Sequence, residues 1–341
     1  MSQIFYPAYR FITAVVSPYI SKDEILPQLT RQSSLHWEAV ANLAGNHSVV
    51  QLLYPAILEK DLVNHVPDDF MSYIQHMNEL NCQRNSLMKS QLMDAVSTIN
   101  QLGIEPLLMK GAAQLFLNTF SNPGDRLLTD LDILVPHAEI ERISNGLIAT
   151  GYQYSGDRME FKQTHHHYPP LIKEGECSML ELHRDLIFQA YQHAFPTNDA
   201  WKQTITITLP NKAQAKILNP TYRVFHSYLH SYMVDELYNK GYAEIRQLHE
   251  LTRSILTYSS DIDWQEMFNY AKKHNVDKQL SANLYITNKF MKIPSLEKIN
   301  NKHTLSSILQ YARVCAKLKY SSFDNIDKKL SRHVIKWQRK K

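Results

Sequence analysis

LLMKGAAQLFLNTFSNPGDRLLTDLDILV, residues 107–135, is the stretch on which the reading of the fold turns. Ile104 to Met109 is an apolar run of strand length, and Ala112 to Phe120 has the composition of a helix. Ser121-Asn122-Pro123-Gly124 spells a turn, and Asp130 to Val135 is apolar enough to be a second strand. Strand alternation then puts the carboxylates of Asp130 and Asp132 on one face and sends Leu131 and Ile133 to the other, into a core. Two like charges so close on an apolar strand are costly unless a cation sits between them. Hard divalent ions such as Mg²⁺ take carboxylate oxygens and keep positions open for substrate phosphates.

Further along, Met179-Leu180-Glu181-Leu182-His183 alternates in the same way, so Glu181 and His183 share a strand face. If that strand neighbours 130–135, then Asp130, Asp132 and Glu181 form a three-carboxylate cluster of the kind that suits phosphoryl or nucleotidyl transfer. A D-x-D on a strand is common by itself, and Glu181 alone reads as a surface acid. Lys110-Gly111 adds weight to the catalytic reading. The pair stands at a strand-to-helix junction, where glycine permits close backbone approach and a helix N-terminus with a lysine favours a phosphate. Arg126, four residues before Asp130, offers a second phosphate contact or a structural salt bridge.

These residues together resemble the bacterial uncharacterised nucleotidyltransferases of the polymerase β-like superfamily. The shared pattern is an apolar strand ending in Lys-Gly, a helix, an arginine, D-x-D on a strand, and then an acid-Leu-His strand. It stands here as LLMKGAA, Arg126, DLDILV and LELH. The likeness extends to the helices around Trp37, the segment from Gly151, and the helices with Asp263-Trp264, covering most of residues 30–295. It implies an α/β (α+β) fold, with a small mixed-sheet nucleotidyltransferase core between N- and C-terminal helical regions. It also implies two Mg²⁺ ions on Asp130 and Asp132 with Glu181 as third carboxylate, and a nucleoside triphosphate donor, ATP first among them. Lys110, Gly111 and Arg126 would engage the phosphates. One departure stands out: the superfamily's usual Gly-Ser is Gly111-Ala112 here, which removes a phosphate-binding hydroxyl. That departure motivates an alternative, a catalytically inactive nucleotide- or peptide-binding module on the same fold.

Outward from this block the chain reads as helix. Leu35 to Ala44, Val49 to Leu62, and a long stripe from Phe70 to Leu102 carry apolar residues at helical spacing, stopped by Gly103. Downstream, Asn219-Pro220 starts a helix over Tyr222 to Tyr238, followed by helices at about 242–258, 262–274 and 277–291. The expected organisation is a helical region over 1–102, the α/β core over 103–215, a second helical region over 216–316 and a basic tail over 317–341. Only nine glycines occur in 341 residues, and seven of them fall between Gly103 and Gly175. Turns therefore concentrate in the α/β block.

Bulk composition narrows the function classes. No apolar run reaches the length of a membrane span, and Met1 to Ile20 lacks the pattern of a signal peptide. Three widely spaced cysteines give neither a disulfide framework nor a zinc pattern and suit a reducing cytoplasm. The net charge of +4 belongs to the tail, where nine Lys/Arg face two Asp, leaving −3 on the preceding 316 residues. The body is therefore no obvious nucleic-acid surface, and a solvated tail is favoured over one that binds RNA. The expected partners are a nucleoside triphosphate and an unidentified acceptor, without a membrane.

Histidines form the last group. His165-His166-His167 on an extended segment alternate sides, so at most His165 and His167 share a ligand. A polar loop at a cleft edge is the plainer reading, and a role for His167 or His183 on the acceptor side lies between the two. His226 and His230, four apart on an aromatic-rich helix, read as packing residues.

Overall fold

The computed structural model describes residues 2–30, 35–156, 166–299 and 304–320. His165 and most of the basic tail lie outside them. The chain divides into two compact units, one drawn from Met1–His76, Ser231–Thr252 and Val276–Lys341, the other from Met77–His230 and Arg253–Asn275. Among the described residues no helix is long and apolar enough to cross a membrane.

The first unit is helical. Its core is tied by side chains far apart in sequence: the Tyr9 hydroxyl donates to the Ala243 carbonyl at 3.0 Å, and the Tyr9 and Phe290 rings meet edge to face at 5.1 Å. His47 is fully buried and stacks on Tyr242 with ring centroids 5.3 Å apart. Its Nδ1 accepts the backbone N–H of Ile245 at 3.2 Å, which fixes the neutral ring with its proton on Nε2, toward the Tyr242 hydroxyl.

The second unit holds a seven-stranded mixed sheet: β1 (Leu107–Leu108), β2 (Asp130–Leu134), β3 (Tyr152–Tyr154), β4 (Leu171–Lys173), β5 (Met179–His183), β6 (Thr204–Thr208) and β7 (Gln214–Leu218). Their spatial order is β3-β4-β5-β2-β1-β7-β6. β2 runs parallel to β5 and antiparallel to β1, so the two acid-bearing strands are neighbours. Met88, Leu92, Val96 and Ile99 of the Asp68–Gln101 helix join Leu131, Ile133, Leu180 and Leu182 in one buried cluster. Each leucine or isoleucine in that cluster sends its alternate strand neighbour to the opposite face, which is how an apolar strand comes to display acids.

The α/β expectation holds, with helices preceding and following the sheet in the chain. Several elements differ in extent. The helix expected over Ala112 to Phe120 is confined to Lys110–Gln114. Beyond it Phe116 and Leu117 make three-residue turns, and the Thr119 carbonyl accepts from Arg253 Nε at 3.1 Å instead of from a helical N–H. The helix expected over Tyr222 to Tyr238 is α-helical only for Pro220–Tyr228, widens to a π-helix at Leu229–Val234 and breaks at Glu236, whose φ of 60° is left-handed. The Asn219 cap is as expected, its side chain accepting the Tyr222 N–H at 3.1 Å. β6 and β7 lie in a stretch to which the sequence reading assigned no strand.

Candidate active site

The β2–β5 register aligns Asp130 with Met179, Asp132 with Glu181, and Leu134 with His183. In-register parallel pairing sets Asp132 and Glu181 side by side on one face. His183 follows two residues along β5, on the face of Glu181, and its Nε2 donates to Asp132 Oδ1 at 2.8 Å. Lys110 reaches the same oxygen from the end of β1, Nζ to Oδ1 at 3.0 Å. Asp132 is 1% exposed, so its charge is held inside the protein by two donors converging on one atom. Burial alone would raise its pKa. The Lys110 charge and the His183 hydrogen bond outweigh burial and hold the carboxyl well below the usual carboxylate range.

The neighbours titrate in opposite directions. Asp130 is pushed up, first by burial and then by the charges of Asp132 and Glu181. Glu181 is held down, chiefly by its hydrogen bond from His183, against the effect of burial. Burial would deprotonate His183, yet the hydrogen bonds to Asp132 and Glu181 prevail and its pKa lies above the ordinary value. The imidazole is thus a donor clamped between two carboxylates. His167 joins them: it forms a bridge with His183 on the far side of β5, and its Nε2 stands 4.0 Å from Glu181 Oε2.

Ligand atoms of Asp132, Glu181 and His183 lie within 4.8 Å of one another, a donor set that could hold a divalent cation. Asp130 is outside that group. It nevertheless feels the charge of both carboxylates in it. With His183 Nε2 already engaged as a donor to Asp132, the cluster offers carboxylate oxygens, which fit a hard ion.

Lys110 has φ of 43°, a left-handed conformation that costs a non-glycine residue about 1–3 kcal/mol. It occurs at the turn from β1 into the five-residue helix, where it aims the ammonium at Asp132. Gly111, next in line, leaves room for two side chains from the loop before β2. A Cβ there would stand 2.1 Å from Leu128 Cδ2 and 2.2 Å from Arg126 Nη1. The missing side chain is the space into which Arg126 and Leu128 fit. Ala112, whose methyl stands where a serine was expected, is fully buried in the apolar cluster.

The device that places Arg126 was not legible as function. Asn78, Asn81 and Asn85, all buried, lie along the inner face of the Asp68–Gln101 helix. Asn81 donates to the Gly124 and Arg126 carbonyls at 2.7 and 2.9 Å, and Asn85 to those of Pro123 and Arg126 at 2.6 and 2.8 Å. Arg84 of the same helix donates to the Leu128 carbonyl. Gly124 fits beneath this ladder because any Cβ would meet Cys82 Sγ at 2.5 Å. The signal was present as asparagines at three- and four-residue spacing on an otherwise apolar stripe.

His226 packs as expected, 3% exposed with its ring 6.4 Å from that of His230. Burial, with repulsion from His230 and Lys110, pushes its pKa down to about 3. The structure therefore brings together Lys110, Asp130, Asp132, His167, Glu181 and His183, and separately seats Arg126 against Gly111.

No curated protein matches the chain. A family model described as uncharacterised nucleotidyltransferase matches residues 33–292, which includes the whole sheet and every residue of the cluster. On a match of that extent, the protein belongs to the uncharacterised nucleotidyltransferase family.

Proposed function

We infer that the protein transfers a nucleoside monophosphate from a nucleoside triphosphate, ATP first, to a hydroxyl of an acceptor in a Mg²⁺-dependent reaction. The observation that carries this reading is the β2–β5 register, which pairs Asp132 with Glu181 beside a half-buried lysine–carboxylate contact. Asp130, Asp132 and Glu181 would hold two Mg²⁺ ions. When bound, these ions neutralise phosphate charge and lower the pKa of an attacking hydroxyl. Glu181 serves as a ligand here, since a carboxyl held below its ordinary pKa is a weak base. His183 fixes the orientation of Asp132 by donating to it, with Glu181 Oε2 3.6 Å from the same nitrogen. His167, 4.0 Å from Glu181, is assigned to the acceptor side in this reading.

Lys110 has two anions to serve, Asp132 in this structure and the donor phosphates when nucleotide enters. Arg126, seated against Gly111, is the second phosphate contact. In the reaction the acceptor oxygen passes its proton to water and bonds to the α-phosphorus, while the bond from that phosphorus to the bridging oxygen breaks and pyrophosphate leaves.

The alternative of a non-catalytic module was motivated by Ala112. That methyl packs in the core, so its identity says nothing about phosphate binding. The test is incubation with each labelled triphosphate and a cell extract, comparing wild type with Asp130→Asn. Label transfer that needs a divalent ion and is lost in the variant supports the reading. Transfer that persists in Asp130→Asn, or in excess chelator, would sink it.

A further inference from the structure

On the side of the sheet away from its acids, the same unit contains a cavity of about 350 Å³, between the Asp68–Gln101 helix and the loop after the Lys110–Gln114 helix. Leu128 fixes the side. It lines the cavity and belongs to the buried cluster in which Met88 and Leu92 of the long helix meet Leu131 and Ile133. Strand alternation turns Asp130 and Asp132 to the other face. The cavity is therefore separate from the carboxylate cluster. Arg126 belongs to both neighbourhoods, since it lines the cavity and packs against Gly111, next to Lys110.

The walls are cationic and aromatic. Lys89 and Arg126 line the cavity, and no Asp or Glu does. Asp125, in the same loop, turns its Oδ2 to the Asn122 N–H at 3.2 Å. Lys89 makes no ion pair among the described residues, and its Nζ stands 5.2 Å from the centre of the Phe116 ring. A half-buried ammonium whose neighbour is a ring rather than a carboxylate can still take an anion. Leu115, Phe116 and Phe120 complete the wall and are only partly buried by the protein, so a ligand has apolar surface left to cover.

We propose that this cavity is an effector site for a small organic anion with an aromatic body, and that its occupancy weakens binding of the donor nucleotide. The second half rests on the nucleotidyl-transfer reading, which gives Arg126 to the donor phosphates. The volume falls at the lower end of ligand cavities, roughly 300–1,000 Å³, which suits a fused ring with one acid group and excludes a polymer. The ring covers Phe116 and Phe120, stacked or edge-on. The acid group lies between Lys89 and Arg126, and a guanidinium pairs with a carboxylate through two parallel N–H···O bonds. A guanidinium so engaged is withdrawn from the donor phosphates, so two anions compete for one cation from opposite sides of the sheet. Linkage makes the effect mutual: nucleotide weakens the effector by the same factor.

The experiment is calorimetric titration of the full-length protein with 2-naphthoate and with 2-naphthamide, its uncharged isostere. Naphthoate is expected to bind one to one, tenfold or more tightly than the amide. Lys89→Met, checked for an unchanged melting curve, is expected to weaken naphthoate fivefold or more. The coupling is read by titrating ATP with Mg²⁺, with and without naphthoate at a concentration that saturates the wild type. Wild type is expected to lose threefold or more in ATP affinity. Lys89→Met is expected to match wild type without naphthoate and to lose little when it is added. No naphthoate binding, equal binding of the amide, or wild-type naphthoate affinity in Lys89→Met overturns the site. ATP affinity unmoved by naphthoate overturns the coupling alone. Failure to bind ATP at all overturns the transfer reading and the coupling with it, while the naphthoate titration still decides the site.

Discussion

Asp130 and Asp132 are two residues apart on one strand, yet the structure predicts opposite stability effects when each is changed to asparagine. Asp132 is buried and accepts from both Lys110 and His183 on a single oxygen. Removing its charge leaves the Lys110 ammonium and the His183 N–H without the anion to which both donate. Breaking a buried pair from one side costs about 3–5 kcal/mol. The Lys110 side chain is 23% exposed and recovers some hydration, which places the expected loss for Asp132→Asn near ~3 kcal/mol. Among the described residues Asp130 has no such ion pair, only the Thr129 hydroxyl at 3.1 Å, and it is repelled by Asp132 and Glu181 in a partly buried site. A carboxyl whose pKa is raised on folding destabilises the fold at neutral pH, so Asp130→Asn is expected to be neutral or stabilising by up to ~1 kcal/mol. Urea unfolding at pH 7, followed by fluorescence, reads both, because Trp201 and Trp264 belong to the unit that carries the site. Transfer activity should vanish in each variant. Equal destabilisation by the two substitutions, or a milder effect at Asp132, would refute the assignment of Asp132 as the buried anchor and Asp130 as the strained member.

Other expectations follow from the same contacts. His47 is buried neutral with its pKa pushed down to about 4 by desolvation, so its contribution is complete above pH 6.5 and is lost as pH falls toward 4. This amounts to about 3 kcal/mol, measurable as the acid-dependent part of wild-type stability that His47→Gln removes. Gly111→Ala gains about 1 kcal/mol of helix propensity but meets an overpacking cost of about 1–3 kcal/mol, because Arg126 and Leu128 must move. The expected result is a small loss of stability with a large loss of nucleotide affinity, compared by melting and by calorimetry. Asn85→Ala leaves two partly buried carbonyls short of a donor and should cost about 1 kcal/mol, with faster hydrogen exchange across residues 122–128.

Much of this site could be read from the sequence because strand alternation is a strict rule. D-x-D and E-x-H each declare a shared face, and the alternate leucines declare the core. What alternation cannot state is which strand lies next to which, or in what register. The placement of Asp132 beside Glu181, and of His183 on Asp132, is therefore a product of the fold. Lys110 was readable as a cation near the site but not as the partner of Asp132. The asparagine ladder was hidden for a different reason. Polar residues on a helix usually face water, and only the carbonyls they meet some 40 residues later in the chain reveal them as buried. β6 and β7 were within reach, since TITIT and QAKIL alternate and flank a Pro-Asn-Lys turn.

The same ladder separates two kinds of control over the phosphate end of the site. Asn81 and Asn85 hold the Arg126 backbone through uncharged amides, and such contacts are indifferent to ionic strength. The Lys110–Asp132 contact is ionic with its lysine 23% exposed, so salt reaches it, though less than it would reach a surface pair. Raising salt therefore loosens Lys110, one of the two phosphate contacts proposed above, while Arg126 keeps its seat. The frame that presents Arg126 is built from dipoles and stays put as the charges around it are screened.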